Sequence, residues 1–458
     1  MPRTSDLRGR RRSRPASRSS PPVTRARRRS VAGLRPHPVV TIVAAVVATL
    51  ALTILVLNLS SGERKVEHRI GHLYGVEDPE FARSMGNLLG PPLLPGNSAV
   101  ALLNGDEIFP AMLEAIRGAR RSITLETYIY WSGRVADAFT EALCERARAG
   151  VKVHVLLDWV GSSRIDHASL DRMAAAGIQV ERYHPLAWYT LARLNHRTHR
   201  RLLVVDGRVG FTGGAGIADE WLGHAQDPKH WRETHFRVEG PAVAQMQAAF
   251  LDNWLKTHAE VLHGDAYFPP LAPAGRLTAQ VFRSSSREGS ESVRMMYLLS
   301  IASARRSILI SASYFVPDDA TIAEFVEARR RGVVVRIVLP GPVMDVEVSR
   351  RASRARWGPL LAAGAEIAEY QPTMYHCKVM IVDGVWVSAG STNFDNRSFR
   401  LNDEANLNVL DAGFAAALTQ TFERDLAASR RVSLDEWRRR PWREKLLENA
   451  LALFRSQI

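Results

Sequence analysis

The chain has 458 residues, 46% of them hydrophobic and 24% charged, which suits two or three globular domains and excludes collagen, a coiled coil and wholesale disorder. Its net charge of +14 is concentrated in residues 1–37, which hold 12 arginines and one acid. The remaining 49 basic and 46 acidic residues nearly balance, so the composition predicts a basic tail and no nucleic-acid partner. Two cysteines, Cys144 and Cys377, are too few for a disulfide framework.

The N-terminal region divides into three parts by composition. Residues 1–37 are rich in Arg, Ser and Pro and are predicted to be disordered. Residues 38–59 carry no charge and are long enough to cover a hydrocarbon core of roughly 30 Å, which predicts a single transmembrane helix. A buried helix and a cleaved signal peptide are the alternatives. The positive-inside rule predicts a cytoplasmic tail and an extracytoplasmic catalytic region in the cell membrane, joined through a polar spacer at 60–96.

An internal repeat organises the rest of the chain. ARRSI occurs at 119–123 and 304–308, ARAGVKVHVLLD (147–158) is echoed by ARRRGVVVRIVLP (328–340), AAGIQVERYHP (175–185) by AAGAEIAEYQP (362–372), and HRRLLVVDGRVGFTGG (199–214) by HCKVMIVDGVWVSAGS (376–391). Helices and strands alternate in both copies. The repeat therefore predicts two α/β halves with mixed sheets, 97–270 and 271–432, which form a pseudo-dimer with a site on the shared face.

Two further segments suggest contact with lipid. The first half has ten extra residues before its motif histidine, and they include Trp188 and Tyr189. We expect this insertion to be a loop facing the membrane or the substrate, with a cap on the core as the alternative. Residues 433–458 predict an amphipathic helix, which could lie in a bilayer interface or pack on the domain.

Each half contains a histidine, a basic residue two positions later and an aspartate seven positions later. The residues are His199, Arg201 and Asp206 in the first half and His376, Lys378 and Asp383 in the second, and we predict that all six are catalytic. Alternation along a strand points each histidine and its basic partner the same way. One imidazole could attack phosphorus while the other protonates the leaving alkoxide, and the two cations could neutralise the phosphoryl oxygens without a metal or cofactor. A structural His–cation pair in each half is the alternative.

The doubled motif, followed in the second half by Gly-Ser-x-Asn with Ser391 and Asn393, resembles the phospholipase D superfamily. More narrowly, residues 98–442 resemble bacterial cardiolipin synthases of the phospholipase D type. Four segments carry this resemblance, GSTNFDNRSFRLNDEANL (390–407), SYFVPD (313–318), WRETHFRVEGPAV (231–243) and RVSLDEWRRRP (431–441). It implies phosphatidyl transfer through a phosphohistidine, with phosphatidylglycerol as donor, a phospholipid hydroxyl as acceptor and glycerol as leaving group. By the same resemblance His199 is the nucleophile.

The first half departs from the family pattern at two positions. Arg201 stands in place of Lys, and Gly216 in place of Asn. Repeat alignment also matches Glu233 with Glu404, and we expect both carboxylates to accept a proton from an imidazole, with ordinary surface acids as the alternative.

Four functions remain after these observations. The leading hypothesis is a membrane-anchored phosphatidyltransferase whose partners are a phospholipid bilayer and an anionic phospholipid substrate. A phospholipase D hydrolase is second, because water can resolve the same phosphohistidine. A phosphodiester nuclease is third, since little net positive charge remains outside the tail. A non-catalytic lipid-binding scaffold would follow if the two departures had abolished the first motif.

Overall fold

The computed structural model describes residues 38–59, 70–185, 195–285 and 291–452, with side chains in the first range only as far as residue 54. The predicted disordered tail and the insertion that carries Trp188 and Tyr189 lie outside these residues. The chain divides into two compact units, Met1–Glu63 and Arg64–Ile458.

The first unit contains helix α1 at Pro38–Leu59, where the apolar run predicts a helix. Its valines, leucines and isoleucines up to residue 54 are exposed, Val39, Leu50 and Ile54 among them. Within the described part of the chain, no helix has the length and apolar content needed to cross a membrane. The predicted single-pass span and the assignment of membrane sides are therefore not supported.

The second unit begins with helix α2 (Pro79–Leu88) and continues into a first α/β half. Its elements are β1 (Leu94–Leu103), α3 (Asn104–Gly118), β2 (Ser122–Thr127), α4 (Arg134–Arg148), β3 (Lys152–Asp158), α5 (His167–Ala175), β4 (Gln179–Tyr183), β5 (Arg197–Thr198), β6 (Leu202–Val205), β7 (Val209–Gly213), β8 (Thr234–Glu239) and α6 (Ala242–His258).

The second half repeats this order. Its elements are β9 (Leu277–Ser284), α7 (Ser292–Ala302), β10 (Ser307–Ala312), β11 (Phe315–Val316), α8 (Asp319–Arg330), β12 (Val334–Pro340), α9 (Glu347–Ala362), β13 (Glu366–Tyr370), β14 (Lys378–Val382), β15 (Trp386–Gly390), β16 (Phe394–Asp395), α10 (Asn396–Arg400), β17 (Asn402–Leu410), α11 (Ala412–Ala427), β18 (Ser429–Val432), α12 (Leu434–Arg438) and α13 (Trp442–Ala452).

The sheet order mirrors the sequence repeat. Strands run β18-β13-β12-β10-β14-β15-β17-β9 in one direction from the centre and β1-β8-β7-β6-β2-β3-β4 in the other, in a single sixteen-stranded sheet that also includes β5. Strands joined by helical crossovers, such as β2 and β3 or β10 and β12, pair in parallel, whereas β6–β8 and β14, β15 and β17 pair antiparallel. The two halves join edge to edge where β1 pairs with β9. The predicted mixed-sheet repeat is confirmed.

A core shared by both halves holds them in register. Phe236 of β8 packs against Phe414 of α11 with ring centroids 6.1 Å apart, and apolar residues of α6 join the same cluster. Each half also has its own core beneath the helices on the outer face of the sheet. Because burying these apolar faces is the main driving force for folding, the shared cluster fixes how the two motif strands approach each other.

Two regions differ from the sequence predictions. Residues 70–96, expected to be part of a polar spacer, instead pack on the second half: Phe81 of α2 is fully buried, with its ring 4.9 Å from that of Trp386. The predicted C-terminal amphipathic helix is divided into α12 and α13, which flank Pro441. Buried Glu448 pairs with Arg354 and Arg440, so α13 packs on the domain, although Trp442 remains exposed.

Candidate active site

A pocket of about 650 Å³ brings the two motif histidines together. His199 comes from the first half and His376 from the second, and both are buried. The residues lining the pocket are Tyr128, Ile129, Trp131, Arg164, Arg197, His199, Arg201, Glu220, Trp231, Tyr314, Asp345, Val346, Val348, Ser349, His376, Asn393, Asp395, Arg397, Ser398 and Asn402. The site therefore lies between the halves, where the repeat predicts it.

The main chain positions each histidine against the opposite half. The amide of His199 donates to the carbonyl of Asp403 at 2.9 Å, and the amide of His376 donates to the carbonyl of Arg232, also at 2.9 Å. The segment that carries His199 thus runs beside the segment that carries Glu404, and the segment that carries His376 runs beside the one that carries Glu233. The same backbone pairing on both sides gives the site its approximate twofold symmetry.

The two glutamates hold the histidines crosswise. Glu404 of the second half lies 3.0 Å from Nδ1 of His199, and Glu233 of the first half lies 2.5 Å from Nδ1 of His376. Both carboxylates are fully buried. Sequence alignment of the repeat finds the two residues, but the exchange of partners between halves comes from the tertiary structure.

The carboxylates and the Arg201 cation define which imidazole nitrogen is free to react. Arg201, a donor only, places Nη2 3.2 Å from Nε2 of His199, so that nitrogen carries the lone pair. The Nζ of Lys378 lies 3.3 Å from Nε2 and 3.2 Å from Nδ1 of His376, so at this histidine the Glu233 carboxylate, 2.5 Å from Nδ1, distinguishes the two nitrogens. The proton then sits on Nδ1, where it is donated to the glutamate. Both histidines consequently direct a basic Nε2 away from their carboxylates.

Both cations also fold back onto the main chain of their own motif. Arg201 Nη1 donates to the His199 carbonyl at 2.9 Å, and Lys378 Nζ donates to the His376 carbonyl at 2.7 Å. Lys378 donates in addition to Ser313 Oγ at 2.8 Å. These contacts hold a positive charge beside each Nε2, where a phosphoryl oxygen would gain most from it.

Arg201 and Gly216, the two departures from the family pattern, lie in one region of the first half whose packing differs from that of the second half. In the second half Ser313 Oγ accepts a hydrogen bond from Lys378 Nζ and donates one to Asn393 Oδ1 at 2.7 Å. Repeat alignment places Tyr128 and Gly216 at the positions of that serine and asparagine. The guanidinium of Arg201 lies 5.9 Å from the centre of the Tyr128 ring, so an aromatic face replaces the hydroxyl.

Gly216 is required by the bulk around it. A Cβ atom there would lie 2.9 Å from Cβ of Ile129 and 3.0 Å from Cζ3 of Trp221, so no asparagine fits without a shift. Trp221 is fully buried and its ring centroid is 5.4 Å from that of His376. The first motif has therefore exchanged a polar network for aromatic packing and has kept its cation.

The glutamates are oriented by different groups in the two halves. Ser391 Oγ donates to Glu404 Oε2 at 2.5 Å. Gly214 occupies the matching position in the first half, where any Cβ would collide with the Glu233 carboxylate. There the indole of Trp221 donates to Glu233 Oε2 at 3.3 Å instead. Trp221 is a residue that the motif spacing does not reveal.

The motif aspartates do not line the pocket. Asp206 accepts hydrogen bonds from the amides of Arg121 and Ser122 at 2.7 and 3.0 Å, and Asp383 receives the amide of Ser307 at 2.9 Å. Both adopt a φ of +54° at the turn after the motif strand. Their predicted catalytic role is corrected to a structural one, because they tie this turn to the repeated ARRSI segment at the far end of the strand.

Burial and charge favour the neutral form of both imidazoles. Burial, reinforced by Arg201, lowers the pKa of His199 to about 4, although Glu404 opposes the shift. Burial and the Lys378 ammonium hold the pKa of His376 well below its usual range. Burial also lowers the pKa of Lys378 to about 8, with Glu233 opposing. A neutral imidazole beside a cation is suited to attack an anionic phosphodiester.

Comparison with known proteins agrees with this geometry. A family model described as "Cardiolipin synthase, PLD-like domain" matches residues 112–254 and 297–426, one copy in each half. Cardiolipin synthase 1 of Bacillus cereus is 32% identical over 374 residues, covering 80% of this chain and 73% of that protein. Cardiolipin synthase A of Pseudomonas syringae is 32% identical over 360 residues, covering 77% and 74%.

A solved structure shares the fold. The phosphatidylserine synthase of Haemophilus influenzae superposes with a TM-score of 0.64 at 13% identity, covering 82% of this chain and 99% of that one. At this identity the likeness supports the paired α/β architecture alone.

Proposed function

The chain belongs to the family of cardiolipin synthases of the phospholipase D type and is a phosphatidyltransferase, and from this premise we propose that it joins two phosphatidylglycerol molecules into cardiolipin, with release of glycerol. The observation that carries the proposal is the meeting of His199 and His376 in one pocket, each backed by a carboxylate from the opposite half. The reaction proceeds through a phosphohistidine.

In the first step Nε2 of His199 attacks the phosphorus of the donor and glycerol departs. Nε2 is unprotonated because the Nδ1 proton is directed to Glu404, and its lone pair becomes available when Arg201 turns from this nitrogen to a phosphoryl oxygen of the bound donor. The anionic phosphodiester offsets the Lys378 and Arg201 charges, which raises the pKa of His376 and lets it carry a proton to the leaving oxygen. Arg201 and Lys378 stabilise the charge on the phosphoryl oxygens.

In the second step an acceptor hydroxyl resolves the phosphohistidine. His376, neutral after the first step, takes the proton of the hydroxyl as its oxygen attacks phosphorus and the P–N bond breaks. Water would give phosphatidic acid by the same route, so the choice between transfer and hydrolysis depends on which hydroxyl occupies the pocket.

The experiment that tests the function is mass spectrometry of the products formed by the purified full chain with phosphatidylglycerol vesicles. Cardiolipin and glycerol in equal amounts are the expected result. Phosphatidic acid with glycerol would replace the transferase with the hydrolase, and the absence of any product would favour the non-catalytic scaffold.

A lipid substrate requires the protein to work at a membrane surface, and α1 is the proposed contact. Val39, Val43, Val47 and Leu50 are exposed on this helix, which has no charged residue. An exposed helix that is apolar on all sides is stabilised by a lipid environment.

The titration of Lys378 predicts the alkaline limit of the reaction. A lysine is charged below its pKa, so the stabilising charge is present at neutral pH and is lost as the pH rises through about 8. We expect kcat/KM, measured on vesicles from pH 6 to 10, to fall above that value. Lys378→Arg should move the fall to higher pH, because Arg stays protonated throughout this range. A flat profile for the unsubstituted enzyme would contradict this assignment.

A further inference from the structure

Three buried polar atoms that line the pocket or its edge lack a hydrogen-bond partner among the described residues. They are Nη1 of Arg197, Nε of Arg201 and Oδ1 of Asn402. Arg201 and Asn402 are 3% and 5% exposed, so bulk water has little access to form the missing hydrogen bonds. Buried donors and acceptors are normally paired, and leaving one unpaired costs stability. Two donors and one acceptor can therefore bind a ligand that carries both anionic oxygens and a hydroxyl.

A pair of arginines stands beside the reacting centre and has no part in the transfer steps described above. Arg197 and Arg397 both line the pocket. Arg397 is held in place by the side-chain and main-chain oxygens of Asn195, at 3.1 and 3.2 Å. Burial lowers the pKa of Arg197, and the nearby Arg397 charge lowers it further, whereas Asp158 opposes the shift. Two like charges held together in this way repel each other, and an anion that lies between them offsets this repulsion.

The spacing along the chain sets the distance from this pair to the chemistry. Arg197 precedes His199 by two residues in an extended segment, which separates their Cα atoms by roughly 7 Å. Residues two apart on such a segment point the same way. A phosphate at the arginine pair would thus lie about one glycerol unit from a phosphorus at His199.

We propose that Arg197 and Arg397 bind the non-reacting phosphate of the acceptor, while the side-chain oxygen of Asn402 accepts a hydrogen bond from the acceptor's glycerol. The acceptor is then a glycerol that carries a phosphate, and phosphatidylglycerol satisfies this chemistry. The inference rests on the proposed function and deepens it, because it explains how a lipid hydroxyl is preferred over water.

The acceptor step balances with these residues in place. The attacking oxygen forms a bond to the phosphorus held on His199, the P–N bond breaks, and the hydroxyl proton moves to His376. The second phosphate keeps its charge throughout and serves to position the hydroxyl. Holding the nucleophile in this way favours it over water through orientation.

Two soluble acceptors that differ only in the phosphate test the proposal. Purified full chain is incubated with phosphatidylglycerol vesicles and either labelled glycerol or labelled glycerol 3-phosphate, and label entering lipid is compared with cardiolipin formation. The enzyme should use glycerol 3-phosphate at least about tenfold more efficiently than glycerol, as expected for a charge-assisted contact. An equal rate with both acceptors would overturn the phosphate site for soluble esters and for lipids alike.

Substitution of the arginines tests the site itself. In Arg197→Gln and Arg397→Gln, the ratio of cardiolipin formation to glycerol incorporation should fall at least about tenfold. Arg134→Gln, which changes an exposed arginine paired with Asp219, should keep the ratio of the unsubstituted enzyme. The glycerol reaction also reports folding, since it needs the same two histidines.

The outcomes distinguish failure of the acceptor site from failure of the proposed function. A fall in cardiolipin alone identifies a lipid phosphate as the ligand, and a parallel loss of the preference for glycerol 3-phosphate extends the site to soluble esters. Equal losses in all reactions would overturn the acceptor site, because the arginines would then act on the donor or on folding. No label transfer and no cardiolipin from the unsubstituted enzyme would instead refute the proposed function.

Discussion

Replacement of either motif histidine by alanine is expected to lower phosphatidyl transfer at least about 100-fold, within the range for acid–base groups. His199→Ala removes the nitrogen that forms the covalent bond, and His376→Ala removes the group that carries the proton. Because each imidazole has a different role at one phosphorus, neither can take over the other's. Initial rates of cardiolipin formation on phosphatidylglycerol vesicles measure the effect.

An exposed histidine provides the control for this experiment. His224 lies 3.1 Å from Asp106 on the surface, and His224→Ala should keep full activity. Retention of more than a tenth of the activity by either motif variant would refute the two-histidine mechanism. Acid quenching and peptide mapping of the trapped phosphohistidine decide which imidazole is the nucleophile, and we expect the label on His199.

Replacement of Lys378 by methionine is expected to cost roughly 3 kcal/mol of transition-state stabilisation, which is about 100-fold in rate. The two side chains are similar in length, so the change removes the charge and its hydrogen bonds to Ser313 and the His376 carbonyl while keeping most of the packing. The loss should appear in kcat, because charge on the phosphoryl oxygens is greatest in the transition state.

Lys256 offers a matched control for this substitution. It pairs with Asp252 at the end of α6, outside the pocket, and Lys256→Met should leave kcat unchanged. Thermal unfolding of both variants verifies that they fold. A Lys378→Met enzyme with near-normal kcat and a raised KM would show that the lysine contributes to substrate binding alone.

The repeated α/β architecture and the faces on which the motif side chains lie could be predicted from the sequence. These features follow from local regularities: a strand alternates its side chains, and a duplicated order of helices and strands folds twice. The same regularity could have pointed to Arg197, which shares the orientation of His199 two residues later. The alignment of Glu233 with Glu404 likewise came from the repeat.

Other features depended on contacts between segments far apart in the chain. Local spacing groups Asp206 with His199, but the strand between them carries the carboxylate to the other end of the sheet, where it binds backbone amides. Composition suggested a polar spacer before residue 97, yet Phe81 is buried against the second half. Spacing along one segment does not specify which distant segment covers it.

The exchange of glutamates between the halves was decided by tertiary structure alone. His199 pairs with Glu404 and His376 with Glu233 because β1 and β9 join the halves edge to edge and bring each motif beside the opposite glutamate segment. A repeat in sequence is equally compatible with pairing inside each half. The burial of apolar surface shared by α6, α11 and both sheets fixes the arrangement, since that free energy depends on how the whole chain packs.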